Sequence, residues 1–120
     1  MLKKTITYTD YEGVERTENF YFNLTKAELA EMELTTDGGM KERLQRIVDA
    51  KDGKAIMREF KGIIMKAYGV KSDDGKRFRK SEELSKEFEE SPAYDILFME
   101  LVTDADAAAN FVQGILPQMQ

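Results

Sequence analysis

Residues 67–81, which read AYGVKSDDGKRFRKS, contain side chains suited to binding a metal ion, a phosphate or a nucleic acid. Two aspartates offer the oxygen ligands that hard cations prefer, and two glycines beside a lysine are typical of loops that hold phosphate. Basic side chains attract the phosphates of nucleic acids. The basic residues of this segment are Lys71, Lys76, Arg77, Arg79 and Lys80.

The spacing of these residues fits neither a phosphate loop nor a calcium loop. A P-loop has four residues between two glycines, then Lys and Ser or Thr, and it follows a strand. Here five residues separate Gly69 from Gly75, no Ser or Thr follows the lysine, and the preceding segment is predicted to be helical. An EF-hand loop with Gly75 at its sixth position would begin at Val70 and end at Ser81, where carboxylates are required.

The charge of this segment does not favour nucleic-acid binding. Four acidic residues, Asp73, Asp74, Glu82 and Glu83, lie among or beside the five basic ones, so the local charge is close to +1. Proteins that bind single strands combine a positive groove with several aromatic rings, whereas only Phe78 lies among these cations. The sequence therefore predicts no nucleic-acid partner.

A structural role explains the segment better. The Asp-Asp-Gly sequence at 73–75 is typical of a turn in which Gly75 takes a positive φ. Gly69 stands where a glycine would end the preceding helix, and Ser81 stands where a side chain would cap the next one. Phe78 would anchor the connection to the core.

The composition of the chain excludes several classes of chemistry. Its 120 residues include no histidine and no cysteine, so the usual zinc, copper and non-haem iron sites cannot form. Triads with a histidine base and cysteine nucleophiles are excluded for the same reason. The sequence predicts no catalytic residues, no metal site and no cofactor. An enzyme that uses carboxylates and a hard cation is the remaining catalytic alternative.

Charge and hydropathy predict a soluble cytosolic domain. The net charge is −5, which argues against binding nucleic acid through the whole surface. The longest apolar run is Ile96–Met99, far short of the roughly 20 residues that cross a membrane. The start of the chain lacks the apolar region of a secretory signal. We expect one domain over residues 1–120, with no membrane partner.

The first 24 residues are predicted to form a β-hairpin. One side of the first strand carries Leu2, Lys4, Ile6 and Tyr8 in alternation, and Gly13 supplies the turn. The returning strand is rich in β-branched and aromatic residues. Its predicted apolar face consists of Val14, Phe20, Phe22 and Leu24.

From residue 25 onward the pattern is helical. Helix starts are predicted at the capping box Thr25–Glu28, at Ser81, and at Ser91 followed by Pro92. The buried stripes are expected at Met40, Leu44, Ile47 and Val48; at Ile56, Phe60, Ile63, Ile64, Ala67 and Tyr68; at Tyr94, Leu97, Phe98 and Leu101; and at Ala108, Phe111, Val112 and Ile115. The predicted fold class is α+β, mostly α: a β-hairpin over 1–24 followed by a bundle of five or six helices over 25–120.

Four segments carry a resemblance to a known family. They are FNLTKAEL (22–29), YGVKSDDGKRFRKS (68–81), AYDILFMEL (93–101) and FVQGILP (111–117). In this order they resemble the tail assembly chaperones of long non-contractile-tailed phages and related prophages. The resemblance implies a non-enzymatic, mostly helical protein with no catalytic residues.

The resemblance also implies partners and a location. Such proteins are thought to coat the tape measure protein, to recruit tail tube subunits, and to leave before the virion matures. The protein is therefore expected in the host bacterial cytoplasm, as a homo-oligomer, and not in the mature virion. A small phage protein that inhibits a host defence or regulatory factor is the alternative, because an acidic surface can occupy a basic groove.

Two surfaces are candidates for partner binding. The first is the basic segment, with Lys71, Lys76, Arg77, Phe78, Arg79 and Lys80. The second is the C-terminal helix, with Phe111, Val112 and Ile115. The free edge of the hairpin is a further place where two chains could pair.

Overall fold

The computed structural model describes residues 1–35 and 53–117, except for the side chains of residues 32–35, 53, 55 and 56. The strands are β1 (Leu2–Thr9), β2 (Glu15–Phe22), β3 (Tyr68–Lys71) and β4 (Phe78–Arg79). The helices within the described ranges are α1 (Lys26–Thr35), α2 (Gly53–Ala67), α3 (Glu82–Glu89), α4 (Pro92–Thr103) and α5 (Ala105–Ile115). The predicted α+β class is confirmed. The helical stripe predicted at positions 40–48 lies outside the described residues.

The predicted N-terminal hairpin is confirmed. β1 and β2 are antiparallel and form eight consecutive residue pairs. The Asp10 amide donates to the Val14 carbonyl at 2.9 Å, and Gly13 takes the positive φ of 82° that the turn requires. The prediction that Val14 shares the apolar face is wrong. Val14 lies in the turn, where its amide donates to the Asp10 carboxylate at 2.9 Å, and its side chain is 50% exposed.

The sheet continues beyond this hairpin, in the order β1-β2-β3-β4. β3 is antiparallel to β2 and pairs with it at Tyr68 and Gly69, and β4 is antiparallel to β3. The Asn23 amide donates to the Ala67 carbonyl at 2.8 Å, so the chain passes from α2 directly into the sheet. The expectation that the chain is helical throughout after residue 24 is therefore wrong. The predicted bundle of five or six helices is not confirmed, because the helices pack on a sheet.

The end of α2 differs from the prediction at Gly69. Positive φ values occur, among the described residues, at Gly13 and Gly75 but not at Gly69, which lies within β3. Gly69 is required by lack of space. A Cβ atom there would lie 2.6 Å from the ring of Phe78 and 2.8 Å from the carbonyl oxygen of Arg79.

The core lies between the inner face of the hairpin and the helices. Phe22 is at its centre, with ring centroids 5.7 Å from Phe88 and 5.3 Å from Phe111. The buried apolar residues of the described part are Ile6, Phe22, Leu24, Phe60, Ile63, Ile64, Ala67, Phe88, Ala93, Leu97, Leu101, Ala108, Phe111 and Ile115. The stripes predicted on α2, α4 and α5 are confirmed at those of their residues that are in this list. The side chain of Ile56 is outside the described part.

The predicted helix starts are confirmed. The Glu28 amide donates to Thr25 Oγ1 at 3.1 Å, and the Thr25 amide donates to Glu28 Oε1 at 2.9 Å, which completes the capping box. Ser81 Oγ accepts from the Leu84 amide at 3.0 Å, and α4 begins at Pro92. Because Thr25 and Ser81 satisfy amides that a helix leaves unpaired, they fix where α1 and α3 begin. Ser91 makes no side-chain cap hydrogen bond, and α4 begins with Pro92 at its first position.

Candidate interaction surface

A tight turn between β3 and β4 presents the basic residues singled out in the sequence. The Ser72 amide donates to the Arg77 carbonyl at 2.9 Å, and the Gly75 amide donates to the Ser72 carbonyl at 3.0 Å. Ser72 Oγ also accepts from the Arg77 amide at 3.0 Å. Gly75 has a φ of 75°, which confirms the predicted glycine turn. The turn is therefore held by its own hydrogen bonds.

Asp74 has a structural role in this turn. Its Oδ1 accepts from the Ser72 hydroxyl at 2.6 Å and from the Lys76 amide at 3.0 Å. These hydrogen bonds favour the charged carboxylate and hold the pKa of Asp74 below its ordinary value of 3.8. Because the hydrogen bonds of Asp74 stay within the turn, this carboxylate fixes the conformation of the basic segment.

Four of the five predicted cations are at the surface, and we call them the cationic patch: Lys71, Lys76, Arg77 and Arg79. None of them forms an ion pair with another described residue. The chain as a whole carries a net charge of −5, so the patch is a local positive region on an acidic protein. Exposed cations that form no ion pair with the described residues are available to an acidic surface of another molecule.

Lys80, the fifth cation, instead connects parts of the fold. Its Nζ donates to the Asn23 carbonyl at 2.6 Å and to Glu28 Oε2 at 2.7 Å. It thereby connects the end of β4 to the start of α1. Because both bonds are used within the chain, Lys80 belongs to the framework that positions the cationic patch.

Glu28 should make the stability of the protein depend on pH. Burial opposes its ionisation, but the Lys80 ammonium and the Thr25 amide outweigh burial and hold the pKa of Glu28 below its ordinary value of 4.5. A lowered pKa in the folded state adds stability above the unfolded-state value, and this stability is lost as the pH falls through the folded-state pKa. We expect Glu28→Gln to lower the free energy of unfolding by about 1 kcal/mol at pH 7, allowing for the partial exposure of the pair.

Urea unfolding of wild type and Glu28→Gln at pH 7 and near pH 3 measures this contribution. The difference between the two proteins should shrink as the pH falls through the lowered pKa of Glu28 and the wild-type carboxylate takes up a proton. Glu31→Gln changes an exposed glutamate on the same helix and is the matched control. A Glu28→Gln effect of the same size at both pH values would show that the charge of Glu28 contributes nothing.

Phe78 holds the two short strands together. It is half-buried, its ring lies against Gly69, and the Lys80 ammonium is 5.7 Å from the ring centroid. Among the described residues, Phe78 is not part of the main core cluster. It anchors β4 to β3 and to Lys80, and the described residues do not confirm the prediction that it anchors the connection to the core.

Two kinds of site are absent from the described part of the chain. No three acidic side chains there lie close enough together to hold a metal ion. None of its helices is long and apolar enough to cross a membrane.

One known protein family matches the sequence of this chain. A family model described as phage tail assembly chaperone matches residues 1–119. The chain belongs to this family. Neither the curated proteins nor the solved structures include a significant match to it. The resemblance noted in four segments is thereby confirmed over almost the whole chain.

Membership in the tail assembly chaperone family directs attention to protein-binding surfaces. The cationic patch lies beside a cleft of about 350 Å³, at the place where β3 diverges from β2. Phe20, Tyr68 and Lys71 are among the residues that line it. The sequence did not reveal this cleft, because the helical pattern that ends at Tyr68 concealed the strand that forms one of its walls.

The second predicted surface of the chaperone, on α5, is mostly internal. Phe111 is 2% exposed and Ile115 is 1% exposed, and both belong to the core. Val112 is half-buried. Phe111 and Ile115 are therefore unavailable to a partner in this conformation.

Exposed apolar residues that the sequence did not single out lie on α4. Ile96 is 42% exposed and Met99 is 48% exposed, although both belong to a helix that packs on the core. They are three positions apart and therefore lie on neighbouring parts of the helix surface. In the sequence, the apolar spacing of this helix follows the buried stripe of Leu97 and Leu101. The structure is therefore needed to distinguish the exposed apolar residues from the buried ones.

Proposed function

We propose that this tail assembly chaperone is a non-enzymatic protein that binds the tape measure protein and recruits tail tube subunits in the host cytoplasm. The cationic patch is the observation that supports the proposal. Its four exposed cations are held on a rigid turn, on a chain that is otherwise acidic. The patch would bind acidic side chains of the partner, which steers the encounter and selects the partner.

The cleft between β2 and β3 complements the patch. Because Lys71 belongs to the patch and also lines the cleft, one partner segment can reach both. An acidic segment with an apolar side chain would place its carboxylates on the cations and the apolar group against Phe20 and Tyr68. Apolar contact then supplies affinity, and the charges supply orientation.

Binding to a tape measure fragment tests the proposal. Chaperone and fragment are co-expressed, and the affinity of the purified proteins is measured by calorimetry at low and physiological salt. Neutralising all four patch cations to glutamine should weaken binding at least about tenfold at low salt, since each exposed ion pair contributes up to about 1 kcal/mol. The salt dependence of binding should decrease together with the affinity.

A control variant separates the patch from total charge. Lys26, Lys54, Arg58 and Lys66 are exposed cations on α1 and α2, and neutralising them changes the net charge by the same amount. Equal losses of affinity in both variants would refute a specific role for the patch. A wild-type chaperone that leaves the fragment insoluble would refute tape measure binding, and absence of a ternary complex with tail tube protein in size-exclusion chromatography would refute recruitment.

A further inference from the structure

We infer that a second copy of this chain pairs along the open edge of β1, antiparallel to it and related to it by a twofold axis at Ile6. The dimer would contain one continuous sheet in which the two β1 strands are central. This inference goes beyond the proposed function, because it concerns a surface separate from the cationic patch.

The edge of β1 has the hydrogen-bonding groups that such pairing needs. In an antiparallel pair of strands, hydrogen-bonded residue pairs alternate with pairs that form no hydrogen bonds. The Asp10 amide donates to the Val14 carbonyl, so Asp10 and Val14 are a hydrogen-bonded pair, and the even-numbered residues of β1 bond to β2. The peptide groups of Lys3, Thr5 and Thr7 therefore point away from β2, as do those of Thr9. Among the described residues, no strand pairs with this side of β1.

The edge also lacks most of the features that prevent strands from pairing. β1 is eight residues long, contains no proline, and pairs with β2 without a bulge. Its two lysines, Lys3 and Lys4, are both near one end. The stretch from Thr5 to Thr9 is uncharged, and no described strand pairs with its outer side.

The sequence of β1 is complementary to itself in the antiparallel direction. With a twofold axis at Ile6, Lys3 stands opposite Thr9 of the second copy, and Thr5 stands opposite Thr7. In this register Lys3 and Lys4 of the two copies lie toward opposite ends of the paired strands, so the lysines do not face each other. A parallel arrangement would instead place the lysines of both copies side by side, which is unfavourable. This charge pattern favours a second copy in the antiparallel direction.

The exposed apolar residues of α4 lie on the same side of the molecule. Lys4 Nζ contacts Glu100 Oε1 at 3.2 Å, so the side of α4 that carries Glu100 lies next to β1, the edge strand of the sheet. Ile96 lies one turn before Glu100 on that side, and Met99 adjoins it. The opposite side of α4 is occupied by Tyr94, which packs on Phe88. Pairing of two β1 strands would bring the two α4 helices together and cover Ile96 and Met99.

Proline substitution on the two sides of the hairpin tests the edge. Thr7→Pro removes an outward amide of β1 and should weaken dimerisation at least tenfold. Thr17→Pro is the matched control, because Thr17 is the cross-strand partner of Thr7 and its amide also points away from the hairpin. β3 pairs with β2 only at Tyr21 and Phe22, so this control leaves the sheet intact. Sedimentation equilibrium gives the dissociation constants, and circular dichroism verifies that both variants fold.

Cysteine cross-linking tests the direction of pairing without proline. The chain has no cysteine, so introduced thiols are the only ones present. A mixture of Lys3→Cys and Thr9→Cys proteins should cross-link with a short bis-maleimide. Neither variant should cross-link alone, since equal positions are about 20 Å apart in the antiparallel register.

Specific outcomes would overturn the inference. They are a wild type that stays monomeric at high micromolar concentration, a Thr7→Pro protein that dimerises like Thr17→Pro, or cross-linking of Lys3→Cys with itself. A wild-type monomer whose β1 edge is protected from amide exchange only by another protein would assign the edge to a foreign strand. Because Thr7→Pro leaves the cationic patch unchanged, loss of the dimer with retained tape measure binding distinguishes this inference from the proposed function.

Discussion

Replacing Phe22 with alanine is expected to lower the free energy of unfolding by about 3–5 kcal/mol, the range for removal of a buried phenylalanine ring. Phe22 has no exposed surface, and its ring centroid lies 5.3–5.8 Å from those of Tyr68, Phe88 and Phe111. These rings belong to β3, α3 and α5. One cavity would therefore weaken the contacts of the sheet with two helices.

The size of this effect is large compared with the stability of a domain. Single domains are typically stable by about 5–15 kcal/mol, so the variant should unfold at markedly lower urea concentration. Urea titration followed by circular dichroism measures the change. Tyr11→Ala is the control for loss of an aromatic ring, since Tyr11 is 84% exposed in the hairpin turn and should change stability by less than about 0.5 kcal/mol. Equal losses in both variants would contradict a central role for Phe22.

The second large effect is expected from Gly69→Ala. The added Cβ would lie 2.6 Å from the ring of Phe78 and 2.8 Å from the carbonyl oxygen of Arg79. The ring can move only by leaving its position over β3, and the carbonyl can move only with the backbone of β4. We expect a loss of about 1–3 kcal/mol, the usual cost of overpacking.

A second glycine provides the control for Gly69→Ala. Gly62 lies in α2, and a Cβ atom there would meet no described atom within 4 Å beyond its chain neighbours and the backbone of its own helix. Gly62→Ala should therefore stabilise the protein by about 0.5–1 kcal/mol through helix propensity alone. Thermal melts of the two variants should shift in opposite directions. A neutral Gly69→Ala would mean that β4 shifts readily, and the cationic patch would then not be held rigidly.

The parts of the fold that were predictable have strong local patterns. The hairpin follows from alternation in the first strand and from Gly13, and the starts of α1 and α3 follow from side chains that cap amides nearby in sequence. Strands β3 and β4 have no such pattern. β4 has two residues, and Tyr68 continues the apolar period of α2, so the sequence favoured a helix where pairing with β2 forms a strand.

For the candidate surface, the sequence predicts which residues are involved but not how they are arranged. The sequence identified the five cations but not the separation of Lys80 from the others, because its partners Asn23 and Glu28 are distant in the chain. It also could not decide whether Phe111 and Ile115 are exposed. An apolar helical stripe is the same for a core and for a binding face, and only the surrounding elements distinguish the two.

The segment between β2 and α1 determines the order in which the chaperone can fold. The Asn23 amide bonds to the end of α2, and the Leu24 amide bonds to the Ile115 carbonyl at 2.9 Å, near the other end of the chain. The hairpin is synthesised before α5, so its buried face remains open until α5 has left the ribosome. The core is thus completed only after α5 has been made. The amides of Asn23 and Leu24 should exchange with solvent only on global unfolding.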